Sequence, residues 1–262
     1  MDSFYCDQTV LVTGASGGIG AAMARRLARS GARLVLVARS EEALARLAAE
    51  LRAGGAEAHA LAHDLQPPGA AQALAERVAA EGLSVDVLVN NAGYGIQGAF
   101  LDHTPADAEG MIGLNVTALT LLARLFGAGM VARGRGGLLQ VASIAGFVPA
   151  PFFAVYAATK AYVRSFSDAL HGELKGSGVH VTCLSPGPTA TGFGGRAGMS
   201  ARFFQRAQTA EAVAEAGLRG LARGEREVVS GAFNRVQAAA GALAPRSLAV
   251  RVAAEMMRRA GA

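Results

Sequence analysis

The sequence predicts an α/β protein in which a parallel sheet of seven strands carries helices on both faces. Apolar runs of strand length alternate along the 262 residues with longer amphipathic stretches, and this alternation is typical of parallel strands joined by crossover helices. The 34 glycines indicate many tight turns between these elements. Because no linker divides the chain, we expect one domain over residues 1–232 and a C-terminal helical extension, residues 233–262, packed on it.

Hydrophobic spacing places the individual elements. The predicted strands are Thr9–Thr13, Arg33–Ala38, Glu57–Ala62, Val85–Asn90, Gly137–Ala142, Val179–Leu184 and Glu227–Val229. The predicted helices between them are Ile19–Ser30, Glu41–Ala53, Ala70–Glu81, Ala106–Arg133, Val155–Ser177 and Ala210–Ala222. The uncharged run Leu138–Ala158 is long enough to cross a bilayer. Pro149 and Pro151 interrupt it, so we interpret it as a strand, a loop and a helix start, and expect no integral membrane segment.

The overall composition excludes several classes of function. The net charge is +5, but the basic residues are scattered and are not interleaved with aromatic residues, so no nucleic-acid partner is expected. Cys6 and Cys183 are too few for a disulfide framework or a zinc site. The five histidines lack metal-ligand spacing, so we expect no metal. With no signal-peptide pattern at the N-terminus, these features favour a cytoplasmic location.

A glycine-rich turn, TGASGGIG, spans Thr13 to Gly20 between the first predicted strand and the first predicted helix. Glycines let the backbone approach a pyrophosphate, whose charge is met by amides and by the positive end of the helix dipole. In this setting the motif predicts a Rossmann-type, doubly wound fold. The expected cofactor contacts are Gly14, Ser16, Gly17, Gly18, Ile19 and Gly20. A flexible turn is the alternative interpretation.

The residues after the second and third predicted strands bear on the choice of cofactor. Arg39 and Ser40 follow Gly20 at the distance where the adenosine ribose is expected, and an NAD site places an acid there. A guanidinium suits a 2′-phosphate, so Arg39 favours NADP(H), unless it is simply a solvated arginine at a strand end. Asp64 and Leu65 are predicted to contact the adenine. Capping of the next helix by Asp64 is a competing interpretation.

The fourth predicted strand ends in the segment Asn90-Asn91-Ala92-Gly93. This segment resembles the classical short-chain dehydrogenases/reductases, as do the TGASGGIG turn, Asn115, Ser143, the pentad Tyr156-Ala157-Ala158-Thr159-Lys160 and the Pro186-Gly187 step. The similarity covers residues 8 to about 191. It implies that Asn90, Ala92 and Gly93 stabilise the sheet and line the cofactor. Asn91 is also expected to contact the cofactor.

Tyr156 and Lys160 lie four residues apart on a predicted helix and therefore share one face. A free phenol has a pKa of about 10 and is a poor base at neutral pH unless a cation stabilises the phenolate. Lys160 and an oxidised nicotinamide can supply that charge. Tyr156 then donates a proton to the developing alkoxide in reduction, or removes the alcohol proton in oxidation. Lys160 is also expected to hold the nicotinamide ribose hydroxyls.

Two further polar residues complete the predicted catalytic set. Ser143 lies just beyond the fifth strand, where its hydroxyl can bind the substrate oxygen. A hydrogen bond at the strand end is its alternative role. Asn115 lies within a long apolar helix, where a side-chain amide is unfavourable unless its polar groups are hydrogen-bonded. The resemblance implies that Asn115 positions Lys160 and a water in a proton relay.

Residues beyond the sixth predicted strand are expected to complete the pocket. Pro186, Gly187, Thr189 and Thr191 lie where ligands of open α/β sheets collect, so we expect cofactor contacts there, a plain turn being the alternative. Glycines then alternate with apolar residues in a segment that can close as a lid. A hydrophobic pocket is predicted from Tyr94, Phe147, Phe152, Phe153, Phe193, Met199, Phe203 and Phe204. It favours a lipophilic ketone or secondary alcohol.

The C-terminal segment, residues 233–262, has two apolar helical pieces separated by Ala244-Pro245-Arg246. It can pack on the body, join a partner subunit, or rest on an anionic membrane surface. Family resemblance implies a homodimer or homotetramer. The sequence therefore favours an NADP(H)-dependent oxidoreductase acting on a small molecule. A redox-sensing regulatory protein and a cofactor-retaining isomerase or epimerase are the two alternatives.

Overall fold

The computed structural model describes residues 1–205 and 207–261. In chain order, the strands of this part are β1 Thr9–Thr13, β2 Arg33–Ala38, β3 Ala58–Ala62, β4 Val87–Asn90, β5 Gly136–Val141, β6 Val179–Ser185, β7 Thr189–Ala190, β8 Gln208–Thr209 and β9 Glu227–Val229. Seven of them form one parallel sheet in the order β3-β2-β1-β4-β5-β6-β9, and β7 pairs with β8. The predicted doubly wound sheet is confirmed. Its strand order reverses between β1 and β4, which is where such folds bind ligands.

The helices are α1 Asp2–Tyr5, α2 Gly18–Ala28, α3 Glu41–Ala53, α4 Ala70–Ala80, α5 Pro105–Ile112, α6 Leu119–Ala132, α7 Ala154–Glu173, α8 Phe193–Arg196, α9 Ala210–Ala222, α10 Ala232–Leu243 and α11 Arg246–Gly261. Side chains alternate across each strand, so Val10 and Val12 pack with α2, α3 and α9 on one face. Leu11 and Leu88 pack with α4 and α6 on the other. The sheet is therefore buried on both faces, as its continuous apolar strands require.

Local sequence signals fix several helix starts. Ser40 caps α3 by accepting from the amide of Ala43, and Thr209 caps α9 in the same way. Thr104 and Asp107 form a reciprocal capping box at α5, with Pro105 in its first turn. Most predicted bounds agree with the structure to within two residues. The predicted helix Val155–Ser177 differs most, because α7 ends at Glu173.

The predicted continuous helix Ala106–Arg133 is wrong in its middle. A π-helical segment, Gly113–Ala118, separates α5 from α6, and such wider turns are common at functional sites. The side chain of Asn115 lies in this segment, completely buried, and bonds to groups outside its own helix. The π-helical turn occurs where the Asn115 amide makes these bonds. The apolar period of the sequence does not reveal that turn.

The segment Leu138–Ala158 divides into strand, loop and helix start as predicted. Another run, Pro105–Ala132, is long and apolar enough by composition to cross a membrane, with a mean hydropathy of 1.5 over its most apolar window. Of that window, 39% is buried inside the protein. Core helices of soluble proteins meet the same criterion, so this run alone does not overturn the expectation of no membrane span.

The C-terminal segment begins one residue before the predicted boundary, since α10 starts at Ala232. The side-chain amide of Gln97 donates to the carbonyl of Met257 at 2.6 Å, and the guanidinium of Arg258 lies 5.5 Å from the ring centre of Phe152. The Met257 side chain is buried in a cluster with Phe153 and other apolar residues. Through these contacts α11 rests on the body of the protein near the carboxyl edge of the sheet.

Candidate active site

A cavity of about 890 Å³ lies at the carboxyl ends of the central strands and extends to α10 and α11. Nearly all predicted site residues line it: Gly14, Ser16, Gly17, Gly18, Ile19, Arg39, Ser40, Asp64, Leu65, Asn91, Ala92, Gly93, Ser143, Tyr156, Lys160, Pro186, Gly187, Thr189 and Thr191. Gly20 and Asn115 do not. The topology thus brings together residues that are more than 170 positions apart in the sequence.

The glycine turn presents open backbone to the cavity. Gly17 is the residue before α2, it carries no side chain to cap the helix, and a Cβ built on it would meet nothing within 4 Å. The first amides of α2 are therefore open to an anion, as a pyrophosphate requires. Gly18 has a φ of +54°, and a Cβ there would lie 3.1 Å from the methyl carbon of Thr191. Thr191 therefore lies directly beside the turn.

Gly20 has a packing role instead of the predicted cofactor contact. A Cβ on Gly20 would come within 2.4 Å of the carbonyl oxygen of Gly14 and 2.6 Å of the Asn91 side chain. The side-chain amide of Asn91 donates to the Thr13 and Gly14 carbonyls at 2.9 and 3.3 Å. Gly20 therefore lets α2 begin close to the turn, and Asn91 holds that turn in place.

Asn90 joins neighbouring strands and does not line the cavity. Its side-chain amide donates to the side-chain oxygen of Gln140 on β5 and to the carbonyl of Leu119, both at 3.0 Å. The sheet-stabilising role implied for Asn90 fits these bonds. Ala92 and Gly93 do line the cavity, at the end of β4.

Arg39 and Ser40 line the cavity directly after β2. Arg39 is exposed, and its guanidinium donates to the side-chain oxygen of Gln66 at 3.1 Å. It forms no ion pair with any carboxylate in the described part of the chain, so its charge is available to an anionic ligand. Ser40 already accepts from the Ala43 amide at 3.3 Å. Its hydroxyl hydrogen can still be donated to a phosphate.

Asp64 does not cap the helix that follows it, which excludes the competing interpretation. Gly69 is the residue before α4. The carboxylate of Asp64 accepts instead from the backbone amide of Gln66 at 3.0 Å, forming a tight turn. Its second oxygen and the Leu65 side chain remain at the cavity wall.

Tyr156 lies at the base of the cavity with only 7% of its surface exposed. The ring packs 4.4 Å from Phe153 and 5.5 Å from Phe193, measured between ring centres. Burial raises the pKa of Tyr156 to about 12, and a hydrogen bond with Ser143 acts in the opposite direction. Desolvation dominates, so this pKa lies above its usual value instead of being lowered as expected beside Lys160. At neutral pH the phenol is therefore protonated and ready to donate.

Lys160 is buried one helical turn from Tyr156, with its ammonium nitrogen 5.7 Å from the centre of the tyrosine ring. It donates to the carbonyl of Val141, at the end of β5, at 2.8 Å. Desolvation lowers the pKa of Lys160 to about 8. Two of the three ammonium hydrogens remain for a ligand.

Ser143 follows β5 directly, and its oxygen accepts from the Ala145 amide at 3.1 Å. That bond orients the serine at the start of the short 3₁₀ turn Ile144–Gly146. The Ser143 hydroxyl also lies close enough to the Tyr156 phenol, at the base of the cavity, to lower its pKa. A carbonyl oxygen placed there would meet two hydroxyl donors.

Asn115 makes no direct hydrogen bond to Lys160, and the role beside Lys160 and a water that the resemblance implies stays a prediction. Its side-chain nitrogen donates to the Tyr94 carbonyl at 2.9 Å and to the Thr159 hydroxyl at 3.1 Å, and its oxygen accepts from the Tyr94 amide at 3.1 Å. Gly93 separates it from Lys160, since a Cβ on Gly93 would lie 3.0 Å from the Asn115 oxygen and 3.3 Å from the lysine nitrogen. Asn115 therefore ties the π-helical turn to the β4 loop and to α7.

Thr189 is buried, and its hydroxyl donates to the Gly187 carbonyl at 2.9 Å. Thr191 accepts from the Phe193 amide at 3.2 Å, which starts α8 beside the glycine turn.

The segment after Thr191 forms α8 and the 3₁₀ turn Ala201–Phe204. Of the predicted apolar residues, Phe147, Phe153, Phe193, Met199, Phe203 and Phe204 line the cavity. Tyr94 and Phe152 do not, and pack behind it.

Sequence reasoning missed Arg164, which holds the loop after Ser143. Its guanidinium carbon lies 3.3 Å from the ring centre of Phe147, and its nitrogens bond the Glu227 carboxylate at 2.8 and 3.2 Å. It also reaches the Gly146 carbonyl at 3.4 Å. Tyr156, Lys160 and Arg164 repeat every four residues on α7, and that spacing is a signal that could have found it.

Also missed were the cavity walls contributed by α10 and α11. Gln237 and Gly241 of α10 and Ala249, Ala253 and Met257 of α11 all line the cavity. The many alanines of this segment looked like ordinary helix formers. The lining residues just named recur every four positions on each helix, and it is apparent that they face the cavity only once the two helices are placed.

A family model for short chain dehydrogenases matches residues 8–199. The chain belongs to this family. The short-chain dehydrogenase is 32% identical over 248 residues to the ketoacyl reductase HetN of a Nostoc species, covering 92% of this chain and 86% of that protein. Other curated relatives are longer, and the match covers between 31% and 61% of their length.

Solved structures agree with this assignment. A short-chain dehydrogenase from Sphingobium yanoikuyae in complex with NADPH is 38% identical, with a TM-score of 0.80 over 90% of this chain and 93% of that one. A family member from Burkholderia phymatum in complex with NAD has the same TM-score at 28% identity and the same coverage. Both nicotinamide cofactors thus occur among the structural neighbours of this short-chain dehydrogenase.

Proposed function

We propose that this short-chain dehydrogenase transfers a hydride between NADP(H) and a lipophilic ketone or the corresponding secondary alcohol. The observation that carries the proposal is the placement of Tyr156 and Ser143 in the wall of one cavity, close enough for Ser143 to lower the pKa of the phenol, with Lys160 one helical turn away. A protonated phenol beside a second hydroxyl donor suits reduction of a carbonyl group. The relationship to a ketoacyl reductase is in keeping with this chemistry.

The residues present fit a nicotinamide dinucleotide. The open amides at the start of α2 can hold the pyrophosphate, and the spare Lys160 hydrogens can hold the ribose hydroxyls of the nicotinamide half. Arg39, which forms no ion pair among the described residues, can hold a 2′-phosphate, and this favours NADP(H) over NAD(H). When bound, the cofactor supplies or accepts the hydride.

The protein's own part in the reaction is binding, orientation and proton transfer. In reduction, Ser143 donates a hydrogen bond to the substrate oxygen, and Tyr156 gives its phenolic proton to the alkoxide that forms. Lys160 stabilises the resulting phenolate by its charge. The proton that Tyr156 loses is then replaced from solvent. Oxidation of the alcohol uses the same groups in the reverse order.

The substrate side of the cavity favours an apolar molecule. Aromatic and methionine side chains from the Ser143 loop, α8 and the Ala201–Phe204 turn form its walls, together with alanines of α10 and α11. Such a surface stabilises a bound apolar group by removing it from water, at about 25 cal/mol per Å². We therefore propose a ketone with at least one long or bulky apolar substituent.

The decisive experiment is a panel of aliphatic and aromatic ketones assayed with NADPH and with NADH in parallel. We expect consumption of NADPH, faster with apolar ketones than with small charged ones. Tyr156→Phe should lower kcat by about 10³-fold, in the range of a lost general acid, and leave the NADPH dissociation constant unchanged. A cofactor-binding regulatory protein would give binding without turnover. A cofactor-retaining isomerase would convert substrate without net NADPH consumption.

A further inference from the structure

The net positive charge of the protein is concentrated in the C-terminal segment. The chain has 25 basic and 20 acidic residues, and residues 233–262 hold five Arg and a single acid, so they carry +4 of the total +5. Arg258 and Arg259 pair with Glu255. Arg235, Arg246 and Arg251 form no ion pair within the described residues. The rest of the protein is nearly neutral, so this positive region is a local feature.

The outer face of α10 is apolar and open to solvent. Phe233, Val236 and Leu243 expose 79%, 69% and 87% of their surface. At 100° per residue, these positions fall within one 80° sector of the helix, and exposed Arg235 lies about 80° beyond that sector. An isolated exposed apolar residue needs no explanation, but a row of three large ones on one helix face indicates a contact surface.

A second apolar row lies on α11 at the mouth of the cavity. Leu248, Val252 and Met256 are spaced four residues apart, and they line the cavity while exposing 51%, 51% and 37% of their surface. Exposed Ala240 of α10 also lines the cavity, between Val236 and Leu243 on the outer face. The outer face of α10 therefore reaches the edge of the opening. The substrate cavity meets solvent through an apolar rim flanked by arginines.

We propose that the C-terminal segment docks the protein on an anionic lipid bilayer, with the rim of the cavity against the membrane. Amphipathic helices with a basic polar face lie in the plane of such interfaces, with their apolar side chains in the headgroup boundary. The unpaired arginines add attraction to anionic headgroups. A second copy of this chain fits less well, because two surfaces of charge +4 repel each other. The bilayer then also serves as the source of lipophilic substrate.

The proposal is tested by sedimentation of the full-length protein with vesicles of phosphatidylcholine alone, or with 30 mol% (about one lipid in three) phosphatidylglycerol. We expect at least tenfold stronger partition to the anionic vesicles, weakened by raising the salt concentration. Arg235→Glu/Arg251→Glu and Phe233→Ser/Leu243→Ser should each lower that partition about tenfold or more. None of these four residues lines the cavity. Turnover of a water-soluble ketone should therefore be unchanged in both variants.

The matched control is Arg46→Glu/Arg223→Glu, which changes the net charge equally at two exposed arginines outside the C-terminal segment. It should alter partition less than twofold. Equal loss in the control would mean that net charge alone drives binding, and would overturn the proposal. Equal binding to neutral and anionic vesicles would also overturn the proposal. A smaller assembly size for Phe233→Ser/Leu243→Ser would overturn it as well, because it would show that this face is an interface between copies of the chain. Vesicle binding is measured without substrate, so the result is independent of the proposed reductase activity.

Discussion

At the residue scale, the two buried titratable groups of the site have pKa values shifted in ways that suit reduction. Tyr156 has a pKa of about 12 and Lys160 a pKa of about 8, each because burial disfavours its charged form. Between these values the phenol keeps its proton while the amine loses its charge. Tyr156 therefore stays protonated up to high pH, but Lys160 loses the positive charge that would stabilise the Tyr156 phenolate.

This difference predicts the pH profile of ketone reduction. We expect kcat/KM to be flat from neutral pH to about 8 and to fall above it, because the Lys160 ammonium loses its proton there while Tyr156 keeps its own. Initial rates at constant ionic strength measure the profile. Lys160→Arg should be slower but lack this fall, since a guanidinium stays charged. A wild-type rate that climbs between pH 8 and 10 would contradict the assignment.

Arg39 predicts a coenzyme preference that one substitution can reverse. Arg39→Asp removes a charge-assisted contact to the 2′-phosphate and adds repulsion, so kcat/KM with NADPH should fall by about 100-fold. Activity with NADH should be retained or rise. Arg223→Asp makes the same charge change at an exposed site just after α9 and should leave the ratio unaltered. An unchanged ratio in Arg39→Asp would mean that Arg39 is only a solvated arginine.

At the element scale, the positions of strands and helices followed from the hydrophobic pattern of the sequence. The differences between predicted and observed helices came from single polar contacts. Continuous apolar runs located the strands because both faces of the sheet are buried, and the period of 3.6 residues located most helices. It could not reveal the π-helical turn, which depends on Asn115 bonding to Tyr94 on a different segment. Nor could it give Asn115 its actual partners, because they are set by tertiary contact rather than by spacing.

Asn115→Ala should therefore act first on stability. The substitution leaves the buried amide and carbonyl groups of Tyr94 without the side chain that satisfies them, so we expect a loss of about 2 kcal/mol in the free energy of unfolding. Urea denaturation followed by circular dichroism measures the loss. Thr120→Val, which removes an exposed hydroxyl of α6, is the control and should change little. If Asn115→Ala were neutral for folding, its bonds would not hold the two segments together.

At the scale of the whole molecule, the proposed nucleotide half of the site and the aromatic wall of the pocket were predictable, and the walls from α10 and α11 were not. The glycine turn, Arg39, Tyr156 and Lys160 each carry a local signature that the fold then brings together. The walls from α10 and α11 have no such signature, since alanines and methionines are ordinary helix residues. A cytoplasmic location and a homodimer or homotetramer stay predictions.

The small side chains of α11 predict how substrate size is limited. Ala253→Phe adds a ring to the cavity wall, and we expect KM for bulky ketones to rise about tenfold, roughly the effect of excluding a few methylene groups. Small ketones should be affected little. Ala239→Phe, on the exposed side of α10 and away from the cavity, is the matched control. Equal effects on small and bulky ketones would show that α11 does not shape the substrate pocket.

The contact between Thr191 and Gly18 has a kinetic consequence. Because the methyl carbon of Thr191 lies close to the glycine turn, the segment that leads into α8 borders the proposed position of the dinucleotide. The same segment carries Phe193 and Met199 into the cavity wall. We therefore expect ordered binding, with the nucleotide entering before the ketone and leaving after the product.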